Sequence, residues 1–416
     1  MSPQTSAESP AGRSAARSRS IARTRLPRSF WLLAGSHGVN DLYAGSVPAI
    51  LPFLVTERHY SYAAATGITV AATALSSVVQ PLFGHLADRR PLGWLVPLGM
   101  LVAGLGVGLS GLVDLYAFTW LAIAISGVGV AAYHPTAAQA ARRLSGGSSH
   151  VVGLFQLGGS IGSAAAPTLV AIALGAAGVR GTWLLALPAV AMFVVYRLGT
   201  RDLHPASSAG PEPTEASANA REQEAPLHRD DWRAFRRLVA VIVCWSIPYV
   251  GTVSFVALDA IERFELSNGA GSAALSTFVV AGALGTLAGG WLADRLGRIA
   301  VVRGGYALAL PAAALLLLAP ALPLLFLGSG LLGFALFLPF AAQVTLGQDY
   351  LPNRVAMASG VTLGLALSVG GLLAPVFGAI ADARGLQTTL AALLAFVALA
   401  GAGSLLLHDP RPARRS

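Results

Sequence analysis

Apolar residues fall into twelve blocks, at about 30–55, 62–86, 94–113, 115–141, 150–174, 181–199, 235–258, 270–293, 300–319, 321–348, 355–380 and 388–407, with most of the charge between them. Each is near the roughly 20 residues a helix needs to cross a bilayer core. The pattern predicts an all-α integral membrane protein with twelve transmembrane helices. Two polar stretches break it. Residues 1–29, rich in Ser, Ala and Arg without an apolar core, read as a disordered cytoplasmic tail ahead of an uncleaved first helix. Residues 203–234, with Pro205, Pro211, Pro213 and Pro226, read as a linker between a half at 30–202 and a half at 235–408, and a short tail follows at 409–416.

Composition agrees. The chain is 55% apolar and 11% charged over 416 residues, against roughly 25% charged in a soluble domain, which excludes an ordinary soluble enzyme and a receptor with one span. The single cysteine, Cys244, allows neither an internal disulfide nor a cysteine-based metal cluster. A net charge of +9 raises nucleic acid as a partner, but all 28 basic residues are arginines placed between apolar blocks, with no basic run interleaved with aromatics. They form a topology signal instead: with the N-terminus inside, 24 arginines lie on the cytoplasmic side and four outside, namely Arg58, Arg180, Arg263 and Arg384. The expected location is the inner (plasma) membrane, multi-pass, with both termini cytoplasmic.

The chain repeats itself. GHLADR at Gly84–Arg89 recurs as GWLADR at Gly290–Arg295, PTAAQ from Pro135 as PFAAQ from Pro339, and SIGSAAAP at Ser160–Pro167 as SVGGLLAP at Ser368–Pro375. Offsets of 206, 204 and 208 in collinear order indicate two homologous six-helix halves. Parallel repeats of this kind carry a substrate site at their interface near mid-membrane.

GHLADRR, its echo GWLADRLGR and the Gly-Pro pattern of the fifth block resemble the motifs of the major facilitator superfamily. More narrowly, SHGVND in the first block, YHP in the fourth and FQLGGSIG followed by Pro167 in the fifth resemble the fosmidomycin-resistance group of proton-coupled drug exporters. The resemblance runs from about Phe30 to His408. It implies two pseudo-symmetric bundles and a cytoplasmic latch at Gly84, Asp88, Arg89, Gly290, Asp294, Arg295 and Arg298, in which the Asp meets a helix N-terminus across the seam. A carboxylate at that positive end gains roughly 0.3–1 kcal/mol, enough to bias a balanced equilibrium. In the resembled exporters an acidic residue follows the fourth-helix His-Pro; here the position is Thr136. The rival reading of Arg89, Arg90, Arg295 and Arg298 is that they are topology determinants only. Gly158, Gly159 and Gly162, with Pro167 and Pro375, read as helix packing and bending; no strand or lysine accompanies GGSIG to make it a phosphate loop.

Polar groups inside the spans are few. His37, Asn40 and Asp41 share one helical face, and rise per residue puts His37 about 10 Å deep, Asp41 about 16 Å and His134 about 12 Å. A charge at such depth costs at least ~2.5–3.5 kcal/mol, so it faces a cavity or a partner. The second half carries Ile242, Trp245, Ser246 and Leu338 at the equivalent positions. Asp41, His37 and His134 are therefore expected to handle protons, the rival reading being hydrogen-bonded packing groups. Asn40, Gln156, Trp245 and Gln343 are assigned to the substrate cavity. A metal site from the two histidines and Asp41 lacks further ligands, so neither metal nor cofactor is expected. Asp259, Glu262, Glu265 and Asp349 read as solvated groups at span ends.

The expected function is a secondary active transporter: proton-coupled efflux of a small drug-like or phosphonate-type molecule by a monomer in the lipid bilayer, with small-molecule substrate and protons as partners. Proton-coupled uptake of a metabolite is the alternative. A membrane-embedded sensor or an enzyme is distant, since the chain shows neither a fused signalling domain nor a nucleophile–base pair.

Overall fold

The computed structural model describes residues 26–89, 92–144, 149–199 and 230–409. Most of the expected tails and linker, and Arg90, lie outside these. The described residues contain no strand. Among the described residues, twelve rods of helix follow one another. In the first half they are Arg28–Arg58, Tyr62–Arg89, Leu95–Leu109, Tyr116–Leu144, Ser149–Ala177, and a tight turn Val179–Ala186 leading into Leu187–Gly199. In the second they are Trp232–Phe264, Asn268–Leu296, Arg298–Leu318, Leu322–Phe337 continued by Phe340–Tyr350, Val355–Gly360 continued to Arg384, and Leu386–Ser404. Nine described segments are long and apolar enough to cross a membrane. Helices are the form a chain takes there, because lipid offers no partner to an open backbone group.

Local chemistry sets several boundaries. The seventh span begins at Trp232, inside the stretch read as linker, because the Asp231 carboxylate accepts from Ala234 N at 2.9 Å and caps the helix. The tenth breaks at Leu338–Pro339, whereas its counterpart Pro135 lies within an unbroken fourth helix. A π-helical turn at Val361–Leu365 interrupts the eleventh.

With the arginine-rich side taken as the cytoplasmic one, the two halves close their outer ends with one device. Arg58, at the end of the first span, donates to the carbonyls of Gly111 (2.5 Å) and Val113 (2.6 Å), just past the third helix. Arg263, 205 positions later at the end of the seventh, donates to Leu316 (2.9 Å) and Leu317 (2.8 Å) at the end of the ninth. Arg263 satisfies carbonyls that the ninth helix leaves without partners at its C-terminus, and Arg58 those of the turn that follows the third. Beside them, Glu57 accepts from Val179 N at 2.7 Å, while its counterpart Glu262 accepts from the Tyr62 hydroxyl of the other half at 2.7 Å.

Candidate functional site

Close approach of the first and fifth spans builds the site. A Cβ at Gly158 would lie 2.4 Å from the Ala34 carbonyl oxygen, and one at Gly162 only 1.8 Å from that of Gly38, so the two backbones touch where glycine stands. A Cβ at Gly159 would lie 2.5 Å from Asp41 Oδ2 and 2.8 Å from His37 Nε2. The missing side chain at Gly159 is the room these two groups occupy.

His37 is fixed by its surroundings. Its Nδ1 is 2.9 Å from the Phe155 carbonyl, and its ring stacks on the Phe155 ring at 4.1 Å. A carbonyl only accepts, so Nδ1 carries the hydrogen and Nε2 is the position left to exchange a proton. That Nε2 faces Asp41 Oδ2 at 3.4 Å. From the fourth span, His134 Nε2 faces the other oxygen, Asp41 Oδ1, also at 3.4 Å. Asn40 Nδ2 reaches the same oxygen at 3.3 Å, and Ser163 from the fifth span donates to the Asp41 backbone carbonyl at 3.4 Å. Tyr133 is joined to Ser36 at 2.8 Å and flanks the cluster.

One carboxylate thus has an imidazole on each oxygen. If neither partner carries a proton, the His37 contact sets a lone pair against a carboxylate; a proton on either makes it attractive. The three donor atoms lie within 4.8 Å of one another, so they can share one small cation, whether a proton or a metal ion. Side-chain exposure of 31% at His134 and 19% at Asp41 leaves the cluster reachable from the space beside it, with His37 buried at the back. Thr136 bonds back to its own helix, donating to Tyr133 O at 2.8 Å, and stands outside this cluster.

The other expected residues divide. Gln156 is exposed on the fifth span. Asn40 is fully buried against Asp41, with its Oδ1 unpartnered. Trp245 is 1% exposed and donates its indole N–H to Leu336 O at 2.7 Å; Gln343 is 2% exposed and donates to the Tyr306 hydroxyl at 2.6 Å. Both are enclosed by their own half. Partly exposed aromatics stand around Trp245: Tyr249 stacks on it at 5.3 Å, Phe337 meets Tyr249 edge-on at 5.1 Å, and Phe340 lies 5.8 Å from Trp245. Tyr249 is one helical turn beyond Trp245, a spacing that marks it in the sequence.

Of the latch set, a Cβ at Gly84 would make ordinary contact with Pro135 Cβ at 3.8 Å, and Gly290 is open, so neither position demands glycine by close packing. Arg298 pairs with Asp349 at 2.5 Å, Arg295 stacks over Trp291 at 4.0 Å, and Asp294 is exposed. Asp88 and Arg89 end the second helix; their side chains lie outside what the structure describes. Asp259, expected to be solvated, is 2% exposed instead. Arg263 at 2.9 Å and Gln387, donating at 2.7 Å from the twelfth span, take the place of water.

A helical bundle of two homologous halves, with an ionisable cluster where the first, fourth and fifth spans meet, has the architecture of a membrane transporter. The model of the Major Facilitator Superfamily matches residues 33–375, and the chain belongs to that family. It is 30% identical over 398 residues to the fosmidomycin resistance protein of Escherichia coli (strain K12), covering 93% of this chain and 95% of that one. It is 28% identical over 389 residues to the uncharacterized MFS-type transporter YfnC of Bacillus subtilis (strain 168), covering 91% and 92%. Among solved structures, a bacterial homolog of the human lysosomal transporter Spinster, inward-facing and unoccupied, superposes with a TM-score of 0.73 at 17% identity over 91% of this chain and 96% of that one. The nucleoside transporter NupG superposes with a TM-score of 0.70 at 13% identity over 91% and 99%. At such identities these structures speak for the fold alone.

Proposed function

We propose that this chain exports a small drug-like or phosphonate-type molecule across the plasma membrane in exchange for protons, by alternating access of one site between its halves. The observation that carries the proposal is the Asp41 carboxylate with His37 Nε2 and His134 Nε2 each 3.4 Å from one of its oxygens. Such a set offers one proton three neighbouring resting places. Water or substrate entering beside His134 changes the solvation of Asp41, which shifts where the proton rests. Binding of substrate and of proton then favour opposite conformations. Similarity to a fosmidomycin resistance protein over nearly the whole chain supports both the direction and the phosphonate class.

Inverted membrane vesicles test this. With an imposed pH gradient, phosphonate antibiotics and a panel of drug-like compounds are added while the gradient is followed by a fluorescent amine. At least one compound is expected to dissipate it, and the Asp41→Asn variant is expected to bind that compound yet accumulate none. Gradient-driven accumulation by Asp41→Asn at the wild-type rate would remove Asp41 from the proton pathway.

A further inference from the structure

A helix N-terminus leaves its first N–H groups without partners in its own ladder. At the start of the second span, Ser61 Oγ serves Ala64 N at 3.1 Å. Tyr62 N and Ala63 N are served from the opposite half: Asp382, at the outer end of the eleventh span and 320 positions away, accepts from Tyr62 N at Oδ1 (2.7 Å) and from Ala63 N at Oδ2 (2.9 Å). Thus a carboxylate of the second half completes a helix of the first.

Nearby contacts fasten the same place. The Tyr62 hydroxyl donates to Glu262, and Asn268 Nδ2 donates to Thr56 Oγ1 at 2.9 Å, both across the seam. One turn below Asp382, a Cβ at Gly378 would lie 2.7 Å from the Tyr62 carbonyl oxygen, so the eleventh and second spans pack backbone to backbone. The eighth span begins at the position that duplication pairs with Tyr62. There Ser267 serves Ala270 N at 3.3 Å, and what crosses the seam is the neutral Asn268 side chain. The fastening is therefore one-sided.

We propose that Asp382, seated on the N-terminus of the second span, is an outer-face latch: it holds the outer side shut and must leave its two N–H donors before that side opens. Tyr62 and Glu262 form a second, neutral-to-anion clasp beside it. With the outer face closed, the carboxylate meets two N–H groups and the positive end of the helix; with it open, carboxylate and donors both meet water. The difference biases the equilibrium toward the closed outer face. The chemistry matches that expected of Asp88 at the cytoplasmic end, so the two faces would carry opposed latches. This inference rests on the alternating-access reading.

The test uses the full chain in liposomes, in a Cys244→Ser background, with spin labels on Leu115→Cys and Leu318→Cys. These two exposed residues stand at the outer ends of opposite halves. Distances are read by pulsed electron resonance. Asp382→Ala is expected to raise the ratio of long to short outer distances about five-fold, a size set by the loss of a charged N-terminal cap. Asp382→Asn, which keeps shape and one acceptor without the charge, is expected to fall between, and it serves if the alanine variant fails to fold. Tyr62→Phe, which leaves both backbone donors in place, is expected to move the ratio less. Identical distributions in wild type and in the folded Asp382 variants would overturn the latch. A distance shift in vesicles that move no substrate against a pH gradient keeps the latch and removes the exchange reading; intact exchange with unmoved distances does the reverse.

Discussion

Gly159→Ala puts one methyl group into the space between Asp41 and His37. The added carbon would stand 2.5 Å from Asp41 Oδ2, 2.7 Å from His37 Cε1 and 2.8 Å from His37 Nε2. Ordinary carbon–oxygen contact begins at ~3.3 Å and carbon–carbon contact at ~3.5 Å, so the carboxylate and the imidazole must each withdraw by about 0.8 Å for the methyl to fit. The imidazole has little freedom to do so, being stacked on Phe155 and bonded to its carbonyl. The carboxylate must rotate, lengthening its contact to His37 or to His134, each at 3.4 Å already. Overpacking of this kind costs about 1–3 kcal/mol, which a large helical bundle survives. A proton-sharing cluster does not, since a displacement near 1 Å at a working site costs about a hundredfold in rate. The expected result is a protein that elutes and melts close to wild type in detergent but exchanges substrate for protons at least tenfold more slowly. Gly162→Ala is the contrast: its methyl would meet the Gly38 backbone oxygen at 1.8 Å, so the spans must separate and the melting temperature must fall. Wild-type exchange by a folded Gly159→Ala protein would refute the dependence of transport on the Asp41–His37 geometry.

Two further substitutions probe the second half. Arg263→Ala removes the cation beside the buried Asp259 and leaves two helix-end carbonyls unserved, so a loss of about 3–5 kcal/mol in unfolding free energy is expected, read by thermal melting in detergent; adding Asp259→Asn should recover part of it. Gln343→Leu strips the buried Tyr306 hydroxyl of its partner at a cost of about 1–3 kcal/mol, and the apparent KM for exchange should stay at the wild-type value; a raised KM with unchanged melting would return Gln343 to the cavity.

The spans were legible because a bilayer imposes length and apolarity on every helix, and the duplication because Gly84–Arg89 and Gly290–Arg295 kept their spelling. His37, Asn40 and Asp41 were legible as one face because helical geometry puts residues i, i+3 and i+4 together. What anchors that face was not. The Phe155 carbonyl is a backbone group, and every residue has one. Asp259 looked like a solvated end group, since nothing near it in sequence announces that Gln387 arrives from the twelfth span. The paired Glu57-Arg58 and Glu262-Arg263, 205 positions apart, are the sequence signal that marks the shared outer-end device. Asp382 reads as one more acid at a span end until the halves come together. Trp245, the second-half counterpart of Asn40, and Gln343 are assigned to the cavity by sequence, but their partners, Leu336 O and the Tyr306 hydroxyl, lie within the same half.

That repeated Glu-Arg pair bears on how a doubled chain acquires a moving joint. The arginine does the same work in both copies, tying the end of one helix to its neighbour. The glutamate does not: Glu57 braces the entry of the sixth span within its own half, whereas Glu262 reaches out to Tyr62 of the other. In the second copy, Gln387 at the matching entry is engaged by Asp259, which frees Glu262 for an outside partner. One change of partner inside a half turns a static brace into a hand offered to its twin. Duplicated bundles need no new segments to gain a fastening across their seam, only the release of a side chain already standing beside it.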